Sequence, residues 1–175
     1  YHTDKEKAKE VLEEAGWEYR YGRWRKTENY RTQSLNLSLV VNREDKTRVE
    51  VAELIEEQLE DIGIQVSLYK VSSYSYSNYL ENKNYDMIIT GVNNGYSPDL
   101  NYFLGENNIA NYENQEISSL LQEVDDITDT DLLKEKYARI IEIYEDEVPY
   151  ICLYRNTSKV VHGIRLTGEI TPNNY

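Results

Sequence analysis

The residue types that most often carry out reactions are present but poorly placed to do so. His2 and His162 lie far apart in sequence, and the chain has no H-E-x-x-H, no G-x-S-x-G and no G-x-x-x-x-G-K-[ST]. Gly91 and Gly95 bracket three residues, but no third glycine opens a helix after them, as a dinucleotide turn requires. Asp125-Asp126-Ile127-Thr128-Asp129 lacks the glycine that turns a calcium loop. Glu142, Glu145, Asp146 and Glu147 fall at helical spacing and read as a solvated face rather than a paired acid and base. Cys152 is the sole cysteine, so the chain can build neither an internal disulfide nor a thiolate zinc cluster. The expectation is a protein that is not an enzyme and has no metal and no cofactor.

Two stretches suit binding better than catalysis. Tyr74, Tyr76 and Tyr79 stand among Ser72, Ser73, Ser75 and Ser77. Rings that bury area beside hydroxyls that orient a ligand make contact surface for peptides or sugars. The competing reading is that Tyr76 and Tyr79 are core residues of a short helix. The second stretch, Gly91-Val92-Asn93-Asn94-Gly95-Tyr96-Ser97-Pro98-Asp99, follows the apolar run Met87-Ile88-Ile89. Ligands of open α/β sheets settle beyond the carboxyl ends of strands, where such a loop offers free backbone groups and close approach. The plain alternative is a surface connection.

The elements that must position these stretches follow from periodicity. Thr3 to Ala15 reads as a helix with a Thr3–Glu6 capping box, an apolar stripe at Ala8, Val11, Leu12 and Ala15, and Gly16 at its end. Residues 17–32 mix aromatics and charges without a period, and Tyr21-Gly22 suggests a turn between two short strands in an otherwise irregular excursion. Leu35, Leu37, Leu39 and Val41 alternate as a strand with one apolar face. Val51, Ala52, Ile55, Leu59 and Ile62 mark a helix ending at Gly63, and Ile64, Val66 and Leu68 form a second strand. That is a parallel, right-handed βαβ unit. Ser72 to Asn82 reads as a helix with Tyr76, Tyr79 and Leu80 inward, and Met87 to Ile89 as a central strand. Further helices are expected through Ile117–Ile127 and from a Thr128–Asp131 capping box to Pro149. A last apolar strand is expected at Tyr150–Tyr154, a short one at Val160-Val161, and an exit from Thr167. The fold class is therefore α/β, read as one domain without repeat or linker.

Composition narrows the partners. A chain of 175 residues buries roughly 70% of its unfolded surface and so can form a core without staples. Seventeen tyrosines against one phenylalanine mean that an amphipathic ring does much of the packing. A net charge of −13 argues against nucleic acid and against docking on an anionic membrane. No apolar run approaches the ~18–20 residues of a membrane span. The start at Tyr1, without a basic and hydrophobic leader, reads as a piece cut from a longer polypeptide.

Several segments, taken in order, carry a family likeness. Ala8-Lys9-Glu10-Val11-Leu12-Glu13-Glu14-Ala15-Gly16-Trp17 resembles the A-K-x-L-L-x-E-A-G-W segment of the family 5 extracellular solute-binding proteins, the oligopeptide, dipeptide and nickel receptors of ABC importers. Residues 52–66, from Ala52 through Gln58, Leu59, Ile62 and Gly63 to Val66, are similar to the family's A-x-x-I-Q-x-Q-L-x-x-I-G-I-x-V. Tyr85-Asp86-Met87 resembles the Y/F-D before a central strand. Asn111-Tyr112-Glu113-Asn114, with Ile117 and Leu120-Leu121, resembles Y-x-N-P-E-V-D-x-L-L. Glu147-Val148-Pro149-Tyr150-Ile151-Cys152-Leu153-Tyr154 resembles D-A-P-V-I-P-L-Y.

The resemblance implies one lobe of a type 2 periplasmic-binding-protein-like fold, a mixed, mostly parallel sheet flanked by helices. Residues 1–175 would be the second lobe of a two-lobed receptor, excised between its hinge crossings, with neighbouring termini. It implies a peptide or other small polar ligand, delivery to an ABC permease, a monomer, and no nucleic acid. The parent would be a cell-surface lipoprotein outside a Gram-positive cell, or periplasmic in a Gram-negative one. The family's cleft loop reads G-W-x-x-D-Y. Here Val92 takes the Trp position and Gly95 the Asp position, with Asp99 as a substitute carboxylate. Ligand contacts are expected from Val92, Asn93, Asn94, Gly95, Tyr96 and Asp99, joined by Tyr74 and Tyr76. The alternatives are a sensor on the same scaffold, or a glycan-binding or adhesion surface built on Tyr74–Tyr79.

Overall fold

The computed structural model describes residues 3–92 and 100–155, and the chain divides into two compact units after Val92. Unit 1 opens with helix α1, Lys5–Glu14. Its cap is Asp4, whose carboxylate accepts the Lys7 amide at 2.9 Å, so the expected Thr3–Glu6 box is not used. A charged acceptor at a helix N-terminus gains from the macrodipole as well as from the hydrogen bond. Gly16 leaves the helix at φ +85°, as anticipated.

The excursion that follows is more regular than its composition suggests. It is an antiparallel meander of β1 (Glu18–Arg20), β2 (Arg23–Glu28) and β3 (Arg31–Ser34). Its two turns, Tyr21-Gly22 and Asn29-Tyr30, hold both central residues at positive φ, the geometry that matches the twist of paired strands. The alternation is hidden in the sequence because one face of the meander is charged and the buried face is made largely by Trp24. That indole is almost wholly buried, and its Nε1–H donates to the Ile62 carbonyl at 2.7 Å. The Tyr19 ring leans on Trp24, 5.2 Å between centroids, and also covers Gly63. A Cβ on Gly63 would lie 2.3 Å from the Tyr19 ring, and its φ of +86° independently calls for glycine.

The expected parallel unit is present. Strand β4 (Asn36–Asn42), helix α2 (Lys46–Asp61) and strand β5 (Gln65–Val71) run into helix α3 (Ser73–Asn82) and the two-residue strand β6 (Met87–Ile88). The sheet order is β5-β4-β6, all parallel, with Leu39 opposite both Leu68 and Met87. Consequently β4, not the Met87 run, is the central strand among the described residues. Val40 is fully buried beside Leu39 and Val41, so this end of β4 is covered on both faces rather than one. The reversal of direction from β4→β5 to β5→β6 explains it. Right-handed crossovers place α2 and α3 on opposite faces of the sheet. Ala52, Val49 and Ile55 of α2 pack with Leu39 and Val41, while Tyr79 of α3 stacks on Tyr69, the partner of Val40. Asp86 pins the short strand: its carboxylate accepts the backbone amide and the hydroxyl of Ser38, both at 2.7 Å.

Unit 2 is helical among its described residues. A four-residue helix α4 (Asn101–Leu104), not anticipated, precedes α5 (Gln115–Val124) and α6 (Thr130–Glu147). The core is Leu104, Ile117, Leu120, Leu121, Ile140 and Ile143. Asp129, rather than Thr128, caps α6 by accepting the amides of Asp131 and Leu132, and these bonds hold its carboxyl below the usual range. Buried Asn108 organises the connection, donating to the carbonyls of Gly105 and Tyr112 and accepting from the Tyr112 amide. The Tyr112 hydroxyl donates to Glu147 at 2.6 Å. Burial and then that carboxylate push it up to about 12. Helix α6 ends at Val148 in the left-handed region, before Pro149. The apolar strand expected at Tyr150–Tyr154 does not form, and Ile151 is 69% exposed. A strand needs a neighbour to complete its ladder, and unit 2 has no other strand among its described residues. Val160-Val161 and the exit from Thr167 lie outside the described residues.

Candidate functional site

All three strands of the parallel sheet end on one edge, where β4 meets the first turn of α2, β5 meets the first turn of α3, and β6 enters the 89–92 segment. This is the switch point of the sheet, since the connection leaving β4 runs through α2 to β5 on one side of it, and the one leaving β5 returns through α3 to β6 on the other. Side chains here are tied to one another. Asn42 donates from Nδ2 to the Ser73 hydroxyl at 3.0 Å and accepts the Glu44 amide at 3.0 Å. The Ser73 hydroxyl in turn donates to the Glu44 carboxylate in a short contact. That bond, followed by the Ser73 amide, holds Glu44 below its ordinary range, so it is an anion at neutral pH. Ser72 and Asp45 cap α3 and α2.

A second group fixes the exit of β6. The Ile89 amide continues the ladder by donating to the Val40 carbonyl at 3.0 Å. The Tyr76 hydroxyl donates to the Ile89 carbonyl at 2.8 Å. Burial raises the Tyr76 hydroxyl, against the opposing pull of a Thr90 hydrogen bond and the Arg48 charge. Arg48 pairs through Nε with Asp45 at 3.0 Å and lays its guanidinium against Gly91, where a Cβ would come 2.4 Å from Nη2. Gly91 thus lets a cation lie directly on the backbone at the mouth of the loop.

The anticipated contact residues fare differently. Tyr74 stands in the first turn of α3, on this edge, and is 79% exposed. Tyr76 is only 8% exposed and has its hydroxyl engaged, so it supports the loop from within the core. Tyr79 and Leu80 are half-buried on the inward side of α3, as expected. Val92 is exposed at the loop's start. Asn93, Asn94, Gly95, Tyr96 and Asp99 lie outside the described residues, as do His2 and His162. Asn42, Glu44, Arg48 and Thr90 were missed from sequence. The strand-end rule used for the Gly91 loop applies equally to the polar run Asn42-Arg43-Glu44-Asp45 after β4, and points to Asn42 and Glu44.

A parallel three-stranded sheet with helices on both faces and a polar edge at its switch point is the architecture of a periplasmic-binding-protein-like lobe. The chain belongs to the bacterial extracellular solute-binding proteins, family 5, whose middle-region model matches residues 1–111. It is 26% identical over 179 aligned residues to the oligopeptide-binding protein AppA of Bacillus subtilis, covering 96% of this chain and 32% of that protein. The solved structure of that AppA in complex with a nonapeptide superposes with a TM-score of 0.75 at 24% identity, over 85% of this chain and 31% of the other. A periplasmic oligopeptide-binding protein of Thermotoga maritima, solved with bound mannohexaose, gives a TM-score of 0.73 at 22% identity, over 86% and 30%. The chain spans about a third of the length of the curated relative it matches. Among the described residues no helix is long and apolar enough to cross a membrane.

Proposed function

We propose that this chain is the second lobe of a two-lobed extracellular receptor that hands a peptide, or another small polar solute, to an ABC permease. Residues 1–175 would act as a single lobe, in a monomeric parent held at the cell surface by a lipid anchor, without enzymatic turnover. The observation that carries the reading is the position of residues 89–92, which leave the switch-point edge beside the Arg48–Gly91 contact, on the edge where exposed Tyr74 also stands. Val92, Asn93, Asn94, Gly95, Tyr96 and Asp99 are the ligand contacts of this reading, together with Tyr74, while Tyr76 supports the Ile89 carbonyl from within the core. In a two-lobed clamp the ligand bridges both halves and shifts the open–closed equilibrium, so each lobe alone supplies half the contacts. The isolated chain is therefore expected to fold and to bind weakly or not at all.

Gly95 at the position of the family's carboxylate changes what the site can hold. A buried peptide ammonium without a paired carboxylate is strongly disfavoured. The polar amides of Asn93 and Asn94 and the ring of Tyr96 favour a neutral polar ligand, or a peptide held by its backbone. The mannohexaose seen in the Thermotoga relative keeps a sugar in view as ligand, and with it a glycan-binding use of the exposed Tyr74. The test is mass spectrometry of small molecules released on denaturing the two-lobed parent, purified natively. Short peptides support the import reading with Asp99 or the other lobe replacing the missing carboxylate, and a single sugar or chelate indicates switched specificity. Asn93→Ala and Tyr96→Ala in the parent should each weaken binding of the recovered ligand. Unchanged affinity in both removes the loop from the site.

A further inference from the structure

The outer face of the β1–β2–β3 meander carries a basic patch that the solute site does not use. By alternation that face holds Arg20, Arg23 and Arg25 against the single acid Glu18, a local +2 within a chain of −13. The antiparallel register sets Arg20 opposite Arg23 and Glu18 opposite Arg25. Side chains alternate across a strand, so with Trp24 turned into the core, Arg20, Arg23 and Arg25 share the outward face. Two cations directly opposed across a ladder disfavour pairing, yet the meander holds them there. Arg20 is drawn to Glu18 at 2.5 Å, whereas Arg23 and Arg25 form no ion pair among the described residues despite the chain's 32 acids. Arg25 lies 5.8 Å from the centroid of the Tyr21 ring, and its Nε–H, shielded from water, has no acceptor among the described residues.

We infer that this face docks an extended acidic segment of a partner protein. Arg23 and Arg25 are two residues apart on one strand, about 7 Å, and Arg20 is about 5 Å across. A partner strand carrying carboxylates at alternate positions repeats the same ~7 Å spacing on one face, and guanidinium forks match carboxylates in pairs. A short segment fits within the patch. Long polyanions such as duplex DNA, or a broad anionic membrane, would also meet the strongly acidic remainder of the chain, whose repulsion acts over a Debye length of ~8 Å at physiological ionic strength and further at lower salt.

The probe is a fluorescein-labelled decapeptide of alternating Glu and Ser, titrated with the 175-residue chain at 50 mM NaCl and followed by anisotropy. Reversal of both charges in R23E/R25E is expected to weaken binding on the order of tenfold. K134E/K136E changes the net charge equally but lies in unit 2, and should bind like the parent chain. R23K/R25K keeps charge without the planar fork and should fall between. Circular dichroism and the melting temperature confirm that each variant is folded. Absence of binding, or equal loss in K134E/K136E, overturns the inference. So does tighter arginine-dependent binding of phosphatidylglycerol vesicles or duplex DNA, or self-association of the chain that R23E/R25E abolishes.

Discussion

Replacing Tyr76 by phenylalanine isolates one atom of the architecture behind the loop. The ring would remain in its buried place against β4 and β6, so burial of apolar area is conserved and no cavity forms. What is removed is the hydroxyl that donates to the Ile89 carbonyl at 2.8 Å and takes part with Thr90. A buried carbonyl left without its donor costs about 1–3 kcal/mol, more than the ~1 kcal/mol net worth of an ordinary hydrogen bond, because the orphaned oxygen stays desolvated. For a chain of 150–250 residues each kcal/mol moves the midpoint by roughly 2–4 °C, so the expected fall is about 2–12 °C. Tyr79→Phe supplies the control. Its ring stacks on Tyr69, 6.4 Å between centroids, and no hydrogen bond of its hydroxyl is seen among the described residues, so it should melt within about 1 °C of the parent chain. The assay is paired thermal and urea denaturation of both variants, with amide hydrogen exchange at Ile89 and Gly91 to localise the loss. If Tyr76→Phe matches Tyr79→Phe, the hydroxyl does not hold the exit of β6 and the account of the site's support is wrong.

Two further outcomes test other joints. Gly63→Ala forces a left-handed backbone on a residue with Cβ, about 1–2 kcal/mol, and drives that Cβ into the Tyr19 ring, losing an aromatic contact of about 0.5–1.5 kcal/mol with Trp24. Urea denaturation should show a loss of about 1.5–3.5 kcal/mol, and G63A/Y19A should not add the full cost of the second change; simple additivity refutes the clash. Acid should destabilise the protein, because Glu44, Asp61, Glu116 and Asp129 all have carboxyls held low in the folded state, by Ser73, Lys5, Arg139 and the Leu132 amide in turn. The unfolded chain protonates these groups first, near pH 4, so their stabilisation is complete above that range and drains away as pH falls through the lower folded values. Urea midpoints measured from pH 7 to pH 3 should decline below about pH 4.5, and a flat profile would contradict the sign.

What the sequence determined about this protein is what depends on neighbours along the chain. The 3.6-residue stripe of α2, the alternation of β5 and the glycines at 16 and 63 are local signals, and the βαβ unit follows from them because a parallel crossover has one favoured hand. The family motifs were readable for the same reason. Asp86, legible as a motif letter, acquired a physical meaning only when the fold brought Ser38, 48 positions away, against it. The order β5-β4-β6 was also beyond reach of local pattern. A central strand and an edge strand with the same apolar run differ only in what pairs with them, and Met87-Ile88 had the run while β4 had the neighbours. Tyr76 and Tyr74 are the plainest case. Two residues apart in a serine-rich helix, they look alike in sequence, and only the 100° turn per residue against a particular sheet makes one a core support and the other a solvent-facing ring. Arg48 on Gly91 belongs with them, because a cation and a glycine 43 residues apart become a site only where two strand ends converge.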